Sequence, residues 1–116
     1  MKTIDELNAL IPTIIDLMYE EDMEFGNNEE DECELNFFSY QEDGWLIEID
    51  YSCSADFYTE PQTWDYPGYC EQIRQWGWVE EIRASHFDKE TMEKTEFDDN
   101  DTIDLYNAVN KFLESL

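Results

Sequence analysis

One nine-residue stretch constrains the fold of this chain more than any other. In Trp45-Leu46-Ile47-Glu48-Ile49-Asp50-Tyr51-Ser52-Cys53 the odd positions are aromatic or apolar, and Glu48, Asp50 and Ser52 lie between them. A period of two describes a strand with one face in a core and the other in water. Asp43-Gly44, just before it, is two-residue turn chemistry. Leu35, Phe37 and, less regularly, Tyr40 then read as the apolar side of an antiparallel partner. Asp56-Phe57-Tyr58-Thr59 is a short strand or an extension of the preceding one. Trp76, Trp78, Glu80 and Ile82 alternate with Gly77, Val79, Glu81 and Arg83, predicting a third long strand that runs to Phe87. Asp88-Lys89-Glu90 is a turn signal, and Met92 to Phe97 a weaker fourth strand.

Between these strands, residues 55–71 hold Pro61 and Pro67 together with Trp64, Tyr66 and Tyr69. Aromatic rings are costly to leave fully in water, so this stretch reads as an ordered aromatic loop.

Helical periodicity marks both ends of the chain. Ile4, Leu7, Ile11, Ile14 and Met18 line one face, Thr3 and Glu6 have capping-box spacing, and Pro12 must kink the helix or split it near Leu10-Ile11. Asp98, Asp99, Asn100 and Asp101 crowd the start of a second helix, where the macrodipole favours negative charge, and Lys111 lies near its end. Its apolar stripe reads Ile103, Tyr106, Val109 and Leu113, with Phe112 and Leu116 beside it. The 116 residues therefore predict one α+β domain: an antiparallel sheet of three or four strands, packed on one face by N- and C-terminal helices. A compact domain of this size has a radius of gyration near ~13 Å and a diameter of about 35 Å. Residues 20–34 carry nine acids and no base around Gly26-Asn27-Asn28, which reads as a solvated loop and the candidate for local disorder.

Charge narrows the function. Thirty-one Asp and Glu stand against 6 Lys and Arg, for a net −25, and from Thr3 to Ile73 there are 20 acids without one Lys or Arg. Such a surface repels the nucleic-acid backbone and an anionic membrane alike. It is not a disordered acidic tail, because 16% of the residues are aromatic. Duplex DNA carries one charge per roughly 1.7 Å, so 25 charges match about 40 Å of duplex, comparable with the expected diameter.

Catalytic and metal chemistry find little support. Asp50 and Glu80 are better explained by a hydrated strand face than by the apolar burial a general acid needs. The single histidine, His86, sits in no nucleophile motif and reads as structural. The Asp98–Asp104 run places Ile103 and Val109 where a calcium loop needs Gly and Glu, so helix capping accounts for its acids. Cys33, Cys53 and Cys70 form no CxxC pair. An odd cysteine count without secretory-signal chemistry predicts reduced, buried or half-buried thiols in a cytoplasmic protein. No stretch approaches the roughly 18 apolar residues of a membrane span. No cofactor, metal or catalytic residue is assigned.

The middle and C-terminal segments carry a resemblance. Trp45-Leu46-Ile47-Glu48-Ile49-Asp50-Tyr51, the loop Phe57-Tyr58-Thr59-Glu60-Pro61 to Tyr66-Pro67-Gly68-Tyr69, a further strand and an acid-capped helix from Asp101 to Leu116 form one layout. Over residues 45–116 this layout resembles small acidic proteins of bacteriophages and prophages. The resemblance implies a phage-type context, in which small acidic inhibitors of host nucleases or restriction systems occur, and it carries over no catalytic residue.

Two partner classes result. In the first, a non-enzymatic accessory protein binds another protein through the aromatic residues Trp64, Tyr66 and Tyr69. In the second, a DNA mimic blocks a basic groove through Asp22, Glu24, Glu29, Glu30, Asp31, Glu32, Glu42, Glu48 and Asp50. Neither binds nucleic acid or membrane directly, and the partner presents a basic surface. Salt separates them, because mimicry weakens steeply as salt is added and an aromatic anchor does not.

Overall fold

Thr3 begins the first helix as its spacing to Glu6 requires, with Thr3 Oγ1 accepting the Glu6 N–H at 3.3 Å. The computed structural model describes residues 2–116, apart from the Glu29 side chain. The helical start is in two pieces, α1 (Ile4–Asn8) and α2 (Ile11–Tyr19). Pro12 lacks the N–H that a continuous helix needs, and sits instead in the first turn of α2, where that N–H has no intrahelical partner. Leu7, Ile14 and Met18 are fully buried along the expected stripe, whereas Ile4 at its end is exposed.

Five strands follow: β1 (Gly26–Asn27), β2 (Glu34–Glu42), β3 (Trp45–Glu60), β4 (Tyr69–Asp88) and β5 (Glu93–Phe97), then helix α3 (Ile103–Glu114). The class is α+β, with a mixed five-stranded sheet where three or four antiparallel strands were expected. β3 is central. On one edge it pairs antiparallel with β2 over Trp45–Cys53 and parallel with β1 at Ser54 and Ala55. β4 pairs along the whole of its other edge, and β5 pairs with Ala84–Asp88 of β4. Asp43 (φ 51°) and Gly44 (φ 85°) make the β2–β3 turn in the left-handed conformations that a two-residue hairpin demands.

The acidic connection over residues 20–34 is more ordered than a solvated loop. Besides β1 it contains a 3₁₀ turn, Asn28–Glu30. Asn36 holds Glu24 by two bonds of 2.9 Å, one in each direction, and Ser54 Oγ donates to the Glu32 carbonyl at 2.9 Å. Gly26 is required here, since a Cβ would stand 2.5 Å from Cys33 Cα. Asn28 Nδ2 also donates to the Asp56 carboxylate of β3 at 3.0 Å, so amide, hydroxyl and backbone groups together with one carboxylate tie this acidic segment to the sheet.

The core lies between one sheet face and the helices. Trp45, Ile47, Ile49, Tyr51 and Cys53 point into it as the alternation predicts. The partner strand meets the expectation at Tyr40 and reverses it at Leu35 and Phe37: Phe38 and Tyr40 pair with Ile49 and Ile47 and face the core, while Leu35 (65% exposed) and Phe37 (54%) face outward. Register decides this, because a one-residue shift moves every side chain to the other face. In β4 the cause is a bulge. Asp50 pairs with Glu81 but Tyr51 with Val79, leaving Glu80 as the extra residue. Ile82 and Ala84 are buried on one side of the bulge, Val79 and Gly77 on the other, and Trp78 turns to the open face. Asn110 of α3 accepts the Val79 N–H at 2.7 Å, satisfying a backbone donor beside the irregularity.

Helix α3 buries Leu105, Val109 and Leu113, spaced four residues apart, and exposes Ile103 and Tyr106 on its flank. The expected stripe was thus right at Val109 and Leu113 and displaced at its N-terminal end. The helix approaches β4 closely at Gly77, where a Cβ would meet the Ser52 carbonyl at 2.7 Å and Leu113 Cβ at 3.4 Å. Of the thiols, Cys53 is buried as expected, and Cys33 and Cys70 are exposed where buried or half-buried thiols were expected.

The molecule is not the compact body expected from its length. Its radius of gyration is 18.5 Å and its extents are 70 × 22 × 20 Å. The long axis comes from β3 and β4: 16 and 20 residues at about 3.3 Å each span roughly 53 and 66 Å.

Candidate interaction surface

Past Ala55 the sheet narrows to two strands. The pairing of β1 ends at Ala55 and that of β5 begins only at Ala84, so Asp56–Glu60 and Tyr69–Arg74 pair solely with each other. The stretch expected as an aromatic loop is therefore a ribbon, and only Pro61–Gly68 forms its tip. Asp56-Phe57-Tyr58-Thr59 proves to be the extension of the preceding strand. A second register shift, between Asp56 and Phe57, leaves Ile73 as the extra residue, 63% exposed.

At the tip, backbone bonds between Thr63 and Tyr66 (2.9 and 3.3 Å) close a turn whose central residues are Trp64 and Asp65. Trp64 stands at the apex and is 97% exposed. Gly68 (φ 84°) takes the left-handed conformation that lets the chain re-enter the ribbon. Tyr66 and Tyr69 are exposed as well, at 40% and 46%. The ring burial expected of an ordered aromatic loop is not found, because the helical layer does not cover the tip.

The tyrosines are fixed by carboxylates. Tyr58 Oη donates to Glu60 Oε1 at 2.8 Å, Tyr66 Oη to Glu60 Oε2 at 2.5 Å, and Tyr69 Oη to Glu71 at 2.9 Å. These bonds hold the Glu60 carboxyl below its ordinary pKa, Tyr66 contributing most, and raise all three phenols. Tyr58, Glu60 and Glu71 were not singled out from sequence. The signal was present as a repeated Tyr-x-Glu, Tyr58-Thr59-Glu60 and Tyr69-Cys70-Glu71, which puts ring and acid on one strand face.

The acidic residues expected to form a mimic surface fall into three groups. Asp22, Glu24, Glu30, Asp31 and Glu32 are exposed on the connection between α2 and β2, while the Glu29 side chain lies outside the described residues. Glu42 is at the far end of β2, eight residues from Glu34 and so about 27 Å away. Glu48 and Asp50 lie on the open sheet face with Arg83, whose guanidinium is 3.8 Å from Glu48, 3.0 Å from Asp50 and 2.8 Å from Glu81. Over 70 Å of length, 25 charges amount to one per 2.8 Å, against roughly 1.7 Å for the duplex.

His86 is buried, with Nε2 2.9 Å from the Asp43 carbonyl and its ring edge-on to Trp45 at 4.9 Å, which anchors the hairpin turn. It borders a cleft of about 150 Å³ with Lys2, Glu6, Asp88, Glu93 and Thr95. Glu80 accepts from Ser52 Oγ (2.9 Å) and Trp78 Nε1 (2.6 Å) on the open face. Among the described residues no cluster of His, Cys, Asp or Glu has metal-binding geometry, and no helix is long and apolar enough to cross a membrane.

No protein-family model, curated protein or solved structure matches this chain.

Proposed function

We propose that the chain is a non-enzymatic acidic interaction protein that captures a protein partner with a basic surface through the tip of its arm. The supporting observation is Trp64, a large apolar side chain 97% exposed at the apex of a ribbon built to carry it away from the body. Exposed aromatic anchors of this kind dominate protein interfaces when a partner buries them. The surrounding negative charge steers a basic partner and speeds its approach.

The test is retention of host-lysate proteins on the immobilised chain at low and high salt, compared with Trp64→Ala. A partner that survives high salt and is lost from the variant supports the arm, with a loss of about 2 kcal/mol or more for a buried tryptophan anchor. Equal retention by both chains overturns it. DNA mimicry is the less supported reading, because the carboxylates are divided and spaced more widely than duplex phosphates. Its signature is retention that vanishes with salt and does not depend on Trp64.

A further inference from the structure

One face of the arm holds an ordered square of rings and carboxylates below the apex. Register places Tyr58 opposite Glu71 and Glu60 opposite Tyr69. With Tyr58 and Glu60 two apart on one strand and Tyr69 and Glu71 two apart on the other, all four share a face, tyrosines on one diagonal and glutamates on the other. The two rings are 6.3 Å apart at 60°. Each phenol donates a hydrogen bond to a carboxylate, which holds the rings in place while Tyr58 and Tyr69 remain 48% and 46% exposed.

We infer that this square receives an arginine side chain of the protein partner. A cation within about 6 Å of a ring centroid is attracted by the π face, and two rings at this separation serve one cation together. The glutamates at the other corners supply counter-charge and acceptors for guanidinium N–H groups. Arginine fits better than lysine, since its planar fork both stacks on a ring and bonds a carboxylate. The same face already shows such packing inside the chain: the Arg74 guanidinium lies 4.7 Å from the centroid of the Trp76 ring. A second copy is a poor occupant, because each chain brings a net −25. The inference rests on the arm as the partner-binding element and names the residue that the partner presents to it.

The experiment is a titration of the full chain with a fluorescein-labelled Gly-Arg-Gly-Arg-Gly peptide, read by anisotropy, with Gly-Lys-Gly-Lys-Gly as comparison. The double variant Glu60→Gln/Glu71→Gln removes the counter-charges. Asp5→Asn/Glu90→Gln removes the same charge from exposed positions away from the arm. Tyr58→Leu/Tyr69→Leu removes the rings and leaves both carboxylates. Arginine-peptide affinity is expected to fall about tenfold in the arm variants and less than twofold in the control, with the lysine peptide several-fold weaker throughout. Equal losses in both charge variants, or equal binding of the two peptides, overturn the inference. A lysate partner lost with Trp64→Ala yet bound normally by Glu60→Gln/Glu71→Gln also overturns it and leaves the arm standing. A partner indifferent to Trp64→Ala overturns the arm, and the peptide titration still decides whether the square binds arginine.

Discussion

Residues 45–55 and 56–60 belong to the same strand, paired throughout with the same neighbour, and differ in what covers them. In the first part Ile47, Ile49 and Cys53 are fully buried beneath helices whose Leu7, Ile14 and Leu113 are equally so. In the second, Tyr58 is 48% exposed and Glu60 is bonded to two phenols. Pairing alone makes a ribbon. A covering layer turns a ribbon into a core, because burial of apolar area supplies most of the stabilisation and a two-stranded hairpin by itself is marginal. The body therefore holds the stability of the chain and the arm holds its accessible chemistry.

The sharpest way to break this division is truncation on either side of it. Leu113→Ala, in the fully buried row of α3, is expected to cost about 4 kcal/mol in chemical denaturation, while Tyr58→Ala on the arm costs under about 0.5 kcal/mol. Similar values for the two would mean that the arm is structurally continuous with the core.

Alkaline pH probes the body next. Burial pushes the Tyr51 phenol up to about 12 and the Cys53 thiol up to about 11, from 10.0 and 9.0. Both groups ionise in the unfolded chain before they do in the native one. Above pH 9 the unfolded state thus binds fewer protons, and stability falls with rising pH. The fall between pH 9 and pH 11 is about 3 kcal/mol for the two groups together, read as a shift in the urea midpoint. A flat profile would show that these side chains reach water.

The smallest effect belongs to removal of the arm. Ala55 pairs with Gln75, so an Asn-Gly turn joining them replaces residues 56–74 without disturbing the paired register below. The thermal midpoint of the body is expected to move by less than about 4 °C. Collapse of the fold would show that the ribbon stabilises the sheet that carries it.

Much of the body was legible in the sequence because local chemistry and tertiary packing agree there. Asp43-Gly44 meets a turn that needs left-handed residues, Pro12 splits a helix that it could not continue, and the Trp45–Cys53 alternation faces the core as written. Legibility failed wherever parity is set by a partner. Phe37 and Phe38 are neighbours of the same type, and only the register against β3 selects Phe38 for the core. One extra residue at Glu80 reverses the faces of β4 and puts Trp78 outside, an offset that an alternating pattern read from one end cannot anticipate. At the arm, the aromatic residues Trp64, Tyr66 and Tyr69 were visible as a group, and the error lay in giving them a loop to bury them.

By itself the sequence determined the class of fold, the Asp43-Gly44 turn, the break in the first helix at Pro12, the inward face of β3 and the net charge. These follow from short-range sterics, from periodicity within one strand or helix, and from a sum over residues that needs no coordinates. Only the tertiary structure decided which strands carry bulges, which acids are neutralised by Arg83, and where the covering layer stops. That last point sets the shape: the buried face of β3 ends at Ala55, and on the arm beyond it Tyr58, Trp64, Tyr66, Tyr69 and Ile73 are all exposed whatever their hydrophobicity.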